Sequence, residues 1–332
     1  MEEASTSYIV LGVALFMLLN SAAIAVYAER RIAGFIQHRW GPNRVGPLGL
    51  LQPIADVLKL ILKEDVTPTQ GNRTLHSIAP LIPVITALMT VAVIPFGEGL
   101  YATNINAGVI YLLAVASLGV YGVTLGGWAS NSKYSLLGGL RAAAQMISYE
   151  LPLGMAIASV VLCVGSLSVV DIAAAQENWW FIFLNPIGGI IFIIAVFAES
   201  NRTPFDIVEA EQELVGGFHT EYSSMKFGMF FLAEYMHVTI SSMLITTFFF
   251  GSYHLPFAGY WLPEMTPLAK GILDVLVFSA KTAFFMFFFI WVRWTITRFK
   301  FNQIMKLGWS RLLPLSILNF IVIAAILFFI VG

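Results

Sequence analysis

The chain carries little charge and almost no cysteine. Of its 332 residues, 11% are Asp, Glu, Lys or Arg, about half the fraction found in soluble domains, and 58% are hydrophobic. Its single cysteine, Cys163, excludes a disulfide within the chain and an iron–sulfur cluster bound by this chain alone, which needs about four ligands. The five histidines lack zinc or haem spacing, and no glycine-rich phosphate-binding fingerprint is present. Electrons for any redox reaction here would come from another chain.

The hydrophobic residues form eight runs of about twenty residues, the length that a helix needs to cross a hydrocarbon core of about 30 Å. Because a bilayer offers the backbone no hydrogen-bond partners, and because the runs do not alternate in polarity, we expect helices rather than a barrel. The sequence therefore predicts an all-α integral membrane protein with a single transmembrane domain, residues 1–332. The expected spans are residues 8–28, 78–96, 108–128, 147–167, 181–199, 228–251, 268–292 and 312–331.

The basic residues predict the orientation of these spans. Sixteen of the eighteen Lys and Arg residues fall in the loops after spans 1, 3, 5 and 7, and such residues gather on the cytoplasmic side. We therefore expect both termini on the outer, periplasmic side. The first span should be retained rather than removed as a signal peptide, because it is long, follows Glu2 and Glu3, and is followed by Arg30 and Arg31.

An amphipathic segment at about residues 49–64 follows the first span. If it is helical, Gln52, Asp56, Lys59 and Lys63 share one face, and aliphatic side chains occupy the other. Such a helix should lie along the membrane surface. It could serve only as a lipid-facing anchor with a solvated stripe, or it could cover the mouth of a cavity.

Three consecutive spans carry an acid near their cytoplasmic ends. Glu150 lies one or two turns inside span 4, Glu199 ends span 5, and Glu234 lies about 9 Å into span 6 at 1.5 Å per residue. A charge at the centre of a span costs roughly 2.5–3.5 kcal/mol, so these acids indicate a function. Carboxyl groups close together in a low dielectric can take up and release protons. Alternatively, each acid is simply paired with a nearby Arg or Lys.

Span 7 carries Asp274 and Lys281 on one face of its helix. Lys281 lies about 18 Å from Arg293, the first cytoplasmic charge after it, and therefore near the middle of the membrane. A lysine at this depth is either an ion-pair partner or a proton-relay group. The sequence favours neither.

The densest group of acids lies in ESNRTPFDIVEAEQELVGGFHTEY, residues 199–222, which holds six of the nineteen acids. In a helix, Asp206, Glu209 and Glu213 would share one face, where like charges repel. A solvated acidic loop would look similar. However, apolar residues alternate with the acids, which indicates partial burial, and buried acids this close would share protons.

Two segments of the chain resemble the signatures of a known family. GLLQPIADVLKL (residues 49–60) and PFDIVEAEQELVGG (residues 204–217) are similar to the two signatures of the quinone-site membrane subunits of respiratory complex I, the proton-pumping NADH:quinone oxidoreductase. The segments AERRIAGFIQHRWGPNRVGP, FAES, AEY and IWVRWTITRFK fit as well. The resemblance therefore extends from the first span to the last.

The resemblance implies a tunnel that binds quinone as substrate, while NADH, FMN and the iron–sulfur clusters belong to partner subunits. It implies no covalent catalytic residue and no metal site. The implied quinone-tunnel contacts are Arg30, Arg39, Asp56, Phe231 and Arg293. The implied proton path comprises Glu150, Glu199, Asp206, Glu209, Glu211, Glu213, Glu221 and Glu234, with Lys281 as a further candidate.

The resemblance also implies partners and competing functions. The expected partners are the peripheral iron–sulfur subunit beside the quinone site, the 49-kDa-type quinone-site subunit, and small and antiporter-like membrane subunits, with lipid but no nucleic acid. A stand-alone proton-coupled transporter is disfavoured because internal repeats are missing. The homologous membrane subunit of a membrane-bound hydrogenase or formate-hydrogen lyase is disfavoured by the complete surface-helix motif. The compact chain favours a bacterial inner membrane, although an organelle-encoded copy would look similar.

Overall fold

The computed structural model describes residues 2–208, 211–257 and 266–331, with side chains described for 7–208, 213–257 and 266–329. Within these residues the protein is helical and has no β-strand. Seven helices are long and apolar enough to cross a membrane, and Pro186–Glu199 is a shorter apolar helix. The expected all-α integral membrane class is confirmed at this level. The eight-span count and the orientation remain predictions.

The helices are numbered in chain order. They are α1 (Glu2–Ile36), α2 (Gln52–Leu62), α3 (Arg73–Ile78), α4 (Leu81–Val91), α5 (Gly108–Ala129), α6 (Lys133–Val164), α7 (Val169–Ala174), α8 (Phe181–Leu184), α9 (Pro186–Glu199), α10 (Glu211–Leu214), α11 (Ser224–Phe249), α12 (Pro267–Thr295), α13 (Phe301–Leu307) and α14 (Leu313–Val331). A π-helical turn, Gly308–Leu312, joins the last two.

Several helices extend beyond the apolar runs of the sequence. Helix α1 continues to Ile36, α6 begins at Lys133, and the final helical stretch begins at Phe301. Charged residues are compatible with these extensions, because long basic side chains keep their head groups in polar surroundings. The boundaries expected from hydrophobicity alone were therefore too short for these three spans.

Two expected spans differ from the observed helices. In place of the span at 78–96, α3 and α4 together form the apolar stretch Arg73–Val91, which begins and ends five residues earlier. The span at 181–199 breaks at Asn185, whose side chain accepts a hydrogen bond from the Gly188 N–H and caps α9. Pro186 occupies the first turn of α9, where its missing N–H is harmless. Helix α9 is consequently only 14 residues long.

Loop contacts assign the helix ends to two sides of the domain. On the acidic-loop side, Asn72 N–H donates to the Ala129 carbonyl and Phe299 N–H donates to the Pro204 carbonyl. On the opposite side, called here the N-terminal side, Val109 N–H donates to the Leu167 carbonyl. The chain alternates between these two sides, as consecutive membrane spans require.

The short helix α9 lies at the centre of the domain. Its residues Phe192, Ala195 and Val196 are fully buried, and it packs against α6 and α11. The Phe192 ring contacts Phe248 and Phe249 at the end of α11. Because longer helices surround α9, its last residues lie inside the protein.

Lys281 holds the non-helical segment that follows α11. Its Nζ donates to the carbonyls of Phe250 at 2.7 Å, Ser252 at 2.9 Å and His254 at 2.6 Å, and it lies 4.4 Å from the centroid of the Trp180 ring. The last carbonyls of a helix lack intrahelical donors and favour a nearby positive charge. Non-helical backbone at membrane depth also needs protein partners. Lys281 meets both needs, because it places a positive charge at the end of α11 and donates hydrogen bonds to the carbonyls of the non-helical segment.

Replacing Lys281 by Met should destabilise the fold. Three carbonyls would lose a charged donor, and each buried acceptor left unsatisfied costs on the order of 1–3 kcal/mol. Thermal unfolding in detergent should therefore show a lower midpoint than for the wild type. The matched control is Lys306→Met, because the Lys306 side chain is exposed. Equal midpoints for the two variants would contradict the capping role.

Candidate functional site

A cavity of about 240 Å³ lies towards the acidic-loop side, among α4, α5, α6, α9, α11 and α12. We call it the chamber. Its ionisable lining residues are Glu199, Glu234, His219, His237 and Arg293. Its aromatic lining residues are Phe218, Phe227, Phe230 and Phe231. The chamber thus brings together four residues selected from the sequence, namely Glu199, Phe231, Glu234 and Arg293.

A group of four charged residues lies beside the chamber, and two of them, Glu234 and Arg293, line it. The Glu29 carboxylate binds Arg202 at 2.9 Å and Arg293 at 2.7 Å, and Arg202 Nε lies 2.9 Å from Glu234. The Arg202 guanidinium also lies 4.3 Å from the centroid of the Tyr235 ring. We call Glu29, Arg202, Glu234 and Arg293 the ion cluster. It joins α1, α11, α12 and the loop after α9.

The centre of the ion cluster is deeply buried, with the Arg202 side chain 4% exposed and that of Glu29 8% exposed, whereas Glu234 and Arg293 are partly exposed. Burial disfavours the cation of Arg202, but the carboxylates of Glu234 and Glu29 outweigh it and raise the pKa of Arg202 above its usual value. Arg202 therefore stays charged. Two acids and two arginines balance in formal charge, which is what allows charges to remain inside the protein.

Glu29 and Arg202 were not among the site residues selected from the sequence. In the sequence, both follow the end of an expected span, 8–28 or 181–199, where charged residues are common. The available signal was the position of Arg202, the only Lys or Arg within the acidic segment 199–222. Its partner Glu29 lies 173 residues away, so pairing could not be inferred from spacing.

Glu150 and Glu199 form a second acidic group beside the chamber. The Ser117 hydroxyl donates a hydrogen bond to Glu150, and the charge of Glu150 acts on Glu199. Gln145 fixes the end of α9, since its Nε2 donates to the carbonyls of Ala198 at 2.8 Å and Phe205 at 2.7 Å. Of the three acids expected at similar depth, Glu199 and Glu234 line the chamber, and Glu150 lies outside its lining. Their role in proton transfer remains a prediction.

In the described part of the acidic loop, one acid is buried and two acids are exposed. Asp206 is 5% exposed and lies 3.0 Å from Arg298. The Glu213 side chain is 56% exposed and binds Arg141 at 2.7 Å, and Glu221 is also exposed. Asp206 lies outside any helix, so the shared helical face considered from the sequence does not apply to it. Glu209 lies outside the described residues, as does the side chain of Glu211 at the start of α10.

His219 brings a neutral group into the chamber lining. It packs against Phe218 and Phe227, and burial lowers the pKa of His219 to about 4. At neutral pH its ring is therefore uncharged and retains one N–H donor and one acceptor. The chamber offers charged, neutral polar and aromatic groups within one space.

The surface helix α2 lies beside the chamber. Asp56 binds Arg30 at 2.5 Å and accepts a hydrogen bond from Gln52, and the Leu60 carbonyl accepts one from Ser224 at the start of α11. Its aliphatic face, formed by Leu51, Ile54, Leu58, Ile61 and Leu62, is exposed. Among the implied tunnel contacts, Phe231 and Arg293 line the chamber. Arg30 and Asp56 form an ion pair outside its lining, and Arg39 is exposed beside Gln37.

Lys281 lies towards the N-terminal side, apart from these acids. Within the described residues it forms no ion pair with an acid, because its donors are taken by the carbonyls after α11. Asp274, its suggested neighbour, accepts a hydrogen bond from the Glu98 N–H at 3.1 Å instead. The contacts support a structural role for Lys281, while proton relay stays an untested prediction.

Replacing Arg202 by Met should destabilise the domain by about 3–5 kcal/mol, because it leaves the Glu29 and Glu234 carboxylates buried without their shared cation. Thermal inactivation of the purified complex measures the effect. Arg73→Met is the matched control, since Arg73 is exposed. Adding Glu29→Gln to Arg202→Met should restore part of the loss. If Arg202→Met were as stable as the control, the ion cluster would not organise the domain.

Comparison with known proteins supports one family. The NADH dehydrogenase family profile matches residues 9–324. The chain is 56% identical over 322 residues to NADH-quinone oxidoreductase subunit 8 of Rhodothermus marinus, covering 93% of this chain and 94% of that protein. It is 55% identical over 317 residues to the NADH-quinone oxidoreductase subunit designated H in Salinibacter ruber, covering 92% of each.

A further relative is an NADH-quinone oxidoreductase subunit of Geobacter metallireducens, which is 49% identical over 321 residues, covering 94% of this chain and 93% of that protein. The resemblance inferred from the two sequence motifs is thereby confirmed. The chain belongs to the NADH dehydrogenase family and is a membrane subunit of complex I, of the same type as these three relatives.

Proposed function

We propose that this chain forms the membrane part of a quinone-binding tunnel and couples quinone reduction to proton translocation in NADH-quinone oxidoreductase. The observation that carries the proposal is the chamber, which places acids, an aromatic wall and the ion cluster around one space. As a member of the family, the chain is a subunit of an enzyme and works with other complex I subunits. It contributes binding and proton transfer, and partner subunits supply the electrons.

The chamber suits a quinone head group chemically. A quinone ring is flat and largely apolar, with two carbonyl oxygens that accept hydrogen bonds. Phe227, Phe230 and Phe231 offer apolar faces for the ring, while Arg293 and the neutral His219 offer donors. Ligand pockets usually combine such apolar walls with a few polar groups. We expect the tunnel to continue from the chamber into the peripheral iron–sulfur subunit and the 49-kDa-type subunit.

The acids around the chamber are suited to respond to quinone chemistry. Reduction of a quinone to a hydroquinone takes up two electrons and two protons. Glu199 and Glu234 face the chamber, and Glu150 is coupled electrostatically to Glu199. A change of charge at the quinone would alter the protonation of all three, because interacting sites titrate together. These acids would begin a path towards the antiporter-like subunits, with Asp206, Glu213 and the other loop acids at its cytoplasmic end.

The exposed surfaces agree with this assembly. Arg39 and Trp40, in the loop after α1, are exposed, with Trp40 86% exposed. This loop suits docking of a peripheral partner on the acidic-loop side. We place that side in the cytoplasm and the chain in a bacterial inner membrane. The matches to quinone oxidoreductase subunits disfavour a stand-alone transporter, and they favour quinone over the hydrogenase-type function.

Replacing Glu199 by Gln should lower coupled quinone reduction on the order of 100-fold, the contribution of a positioned proton-transfer group. Electron transfer from NADH to a soluble artificial acceptor should be unchanged, because that step does not use the chamber. Both rates can be measured in the same membrane vesicles, together with proton uptake reported by a pH-sensitive dye.

Glu177→Gln is the matched control, because Glu177 is an exposed acid on the N-terminal side. It should leave quinone reduction and pumping at wild-type levels. If Glu199→Gln also retained both activities, Glu199 would be a structural residue and the proposed proton path would have to begin elsewhere.

A further inference from the structure

A second cavity lies apart from the chamber, towards the N-terminal side. It has a volume of about 460 Å³ and is bounded by α1, α11, α12 and the turn after α4. Its walls are mainly apolar, with Val13, Met17, Val275 and Met286 among them. We call it the groove. The proposed quinone chemistry does not use it.

The shape of the groove matches a single hydrocarbon chain. Along α1 it runs from Ile9 to Ile24, a length of about 22 Å at 1.5 Å per residue. One leaflet of the hydrocarbon core is about 15 Å deep. Ile9, Val13 and Met17 are more than half exposed, so the groove opens sideways to the bilayer. It is too small to enclose a partner helix of that length, which is about 10–12 Å across with its side chains.

Four residues of the groove wall carry hydroxyl groups; the buried Thr282 hydroxyl has no hydrogen-bond partner among the described residues, and those of Ser21 and Thr239 are hydrogen-bonded. The Ser21 hydroxyl donates to the Leu18 carbonyl, and the Thr239 hydroxyl donates to the Tyr235 carbonyl. These donors are satisfied within their own helices. An acyl chain in the groove therefore exchanges contacts with lipid tails for packing contacts with an apolar wall, and selectivity has to come from the fit and from the head group.

One end of the groove carries two opposite charges. Leu100 lines the groove and lies next to Gly271. A Cβ atom placed on Gly271 would be 3.7 Å from Leu100 Cδ1. The preceding residue, Lys270, forms an exposed pair with Glu98. The buried carboxylate of Asp274 accepts the Glu98 N–H. An ammonium donor and carboxylate acceptors thus stand together at the end of the groove that faces the membrane surface.

We propose that the groove binds one acyl chain of a zwitterionic phospholipid whose head group carries a primary ammonium, as in phosphatidylethanolamine. Lys270 would bind the phosphate, and Glu98 would accept hydrogen bonds from the ammonium group. An anionic phospholipid would meet Glu98 and Asp274 without offering them a cation. A trimethylammonium head group would lack the N–H donors. The charges at the end of the groove therefore favour this head group, and the groove shape accommodates one acyl chain of the same lipid.

The bound lipid would act on the helices of the ion cluster. Met286 lines the groove and also the small gap beside Glu29 and Arg202. Helices α1, α11 and α12 border the groove and carry Glu29, Glu234 and Arg293. An acyl chain between them would maintain the spacing that the ion cluster requires.

The test uses the intact complex in nanodiscs that contain phosphatidylethanolamine with a photoactivatable diazirine on its acyl chain. Cross-links should map to residues 9–24 and 275–286, and more strongly than with phosphatidylglycerol bearing the same chain. Ser279→Trp should abolish most of this labelling, because the indole ring would fill the space of the acyl chain. Ala280→Trp, the neighbouring exposed small residue outside the groove lining, should leave it unchanged.

The head-group assignment has its own readout. Glu98→Gln and Lys270→Met should abolish the preference for phosphatidylethanolamine over phosphatidylglycerol. Equal labelling of Ser279→Trp and Ala280→Trp would overturn the proposal. So would absent labelling of the wild-type groove, whether a quinone or a neighbouring subunit proves to occupy it. The wild-type labelling requires no variant to fold, and it does not depend on quinone reduction.

Discussion

The burial of Arg202 between two carboxylates is the interaction on which the rest of the site depends. A buried guanidinium needs charge partners close by, and Glu29 and Glu234 bring them from α1 and α11. Glu29 in turn holds Arg293 of α12. Three long helices and one loop are therefore fixed relative to each other. The chamber is the space beside this arrangement, and Glu234 and Arg293 contribute to its polar lining.

The short helix α9 brings polar residues into the interior. It begins only at Pro186, after the break at Asn185, and its end places Glu199 in the chamber lining, with the buried Arg202 in the loop that follows. Gln145 secures this end through the carbonyls of Ala198 and Phe205. On the other side, Lys281 secures the end of α11. Polar side chains thus compensate for each place where a helix stops within the domain.

Much of the arrangement could be predicted from the sequence. The depth of Glu199 and Glu234 followed from the rise of a helix, and both line the chamber. The surface helix followed from its two faces. Motifs identified the family, which the comparisons confirm. These inferences rest on helix geometry, periodicity and motifs, which can all be read from neighbouring residues in the sequence.

Other features could not be predicted because they depend on tertiary contacts. Pairing of Arg202 with Glu29 joins residues far apart in the chain. Lys281 binds backbone carbonyls, which every residue possesses, so no sequence pattern distinguishes them from an acid partner. The break at Asn185 was hidden within a run of apolar residues, although Asn followed by Pro is a turn signal. The groove is formed by three helices and has no linear signature.

The central claim is that quinone passes through the chamber, whose lining includes Glu234 and Arg293 of the ion cluster. Electron cryo-microscopy of the intact complex with a long-chain quinone tests it most directly. We expect quinone density in the chamber, with the ring beside Phe231 and Arg293, or density continuous from the chamber to the peripheral subunits. Quinone density along a route that bypasses a closed chamber would contradict the account.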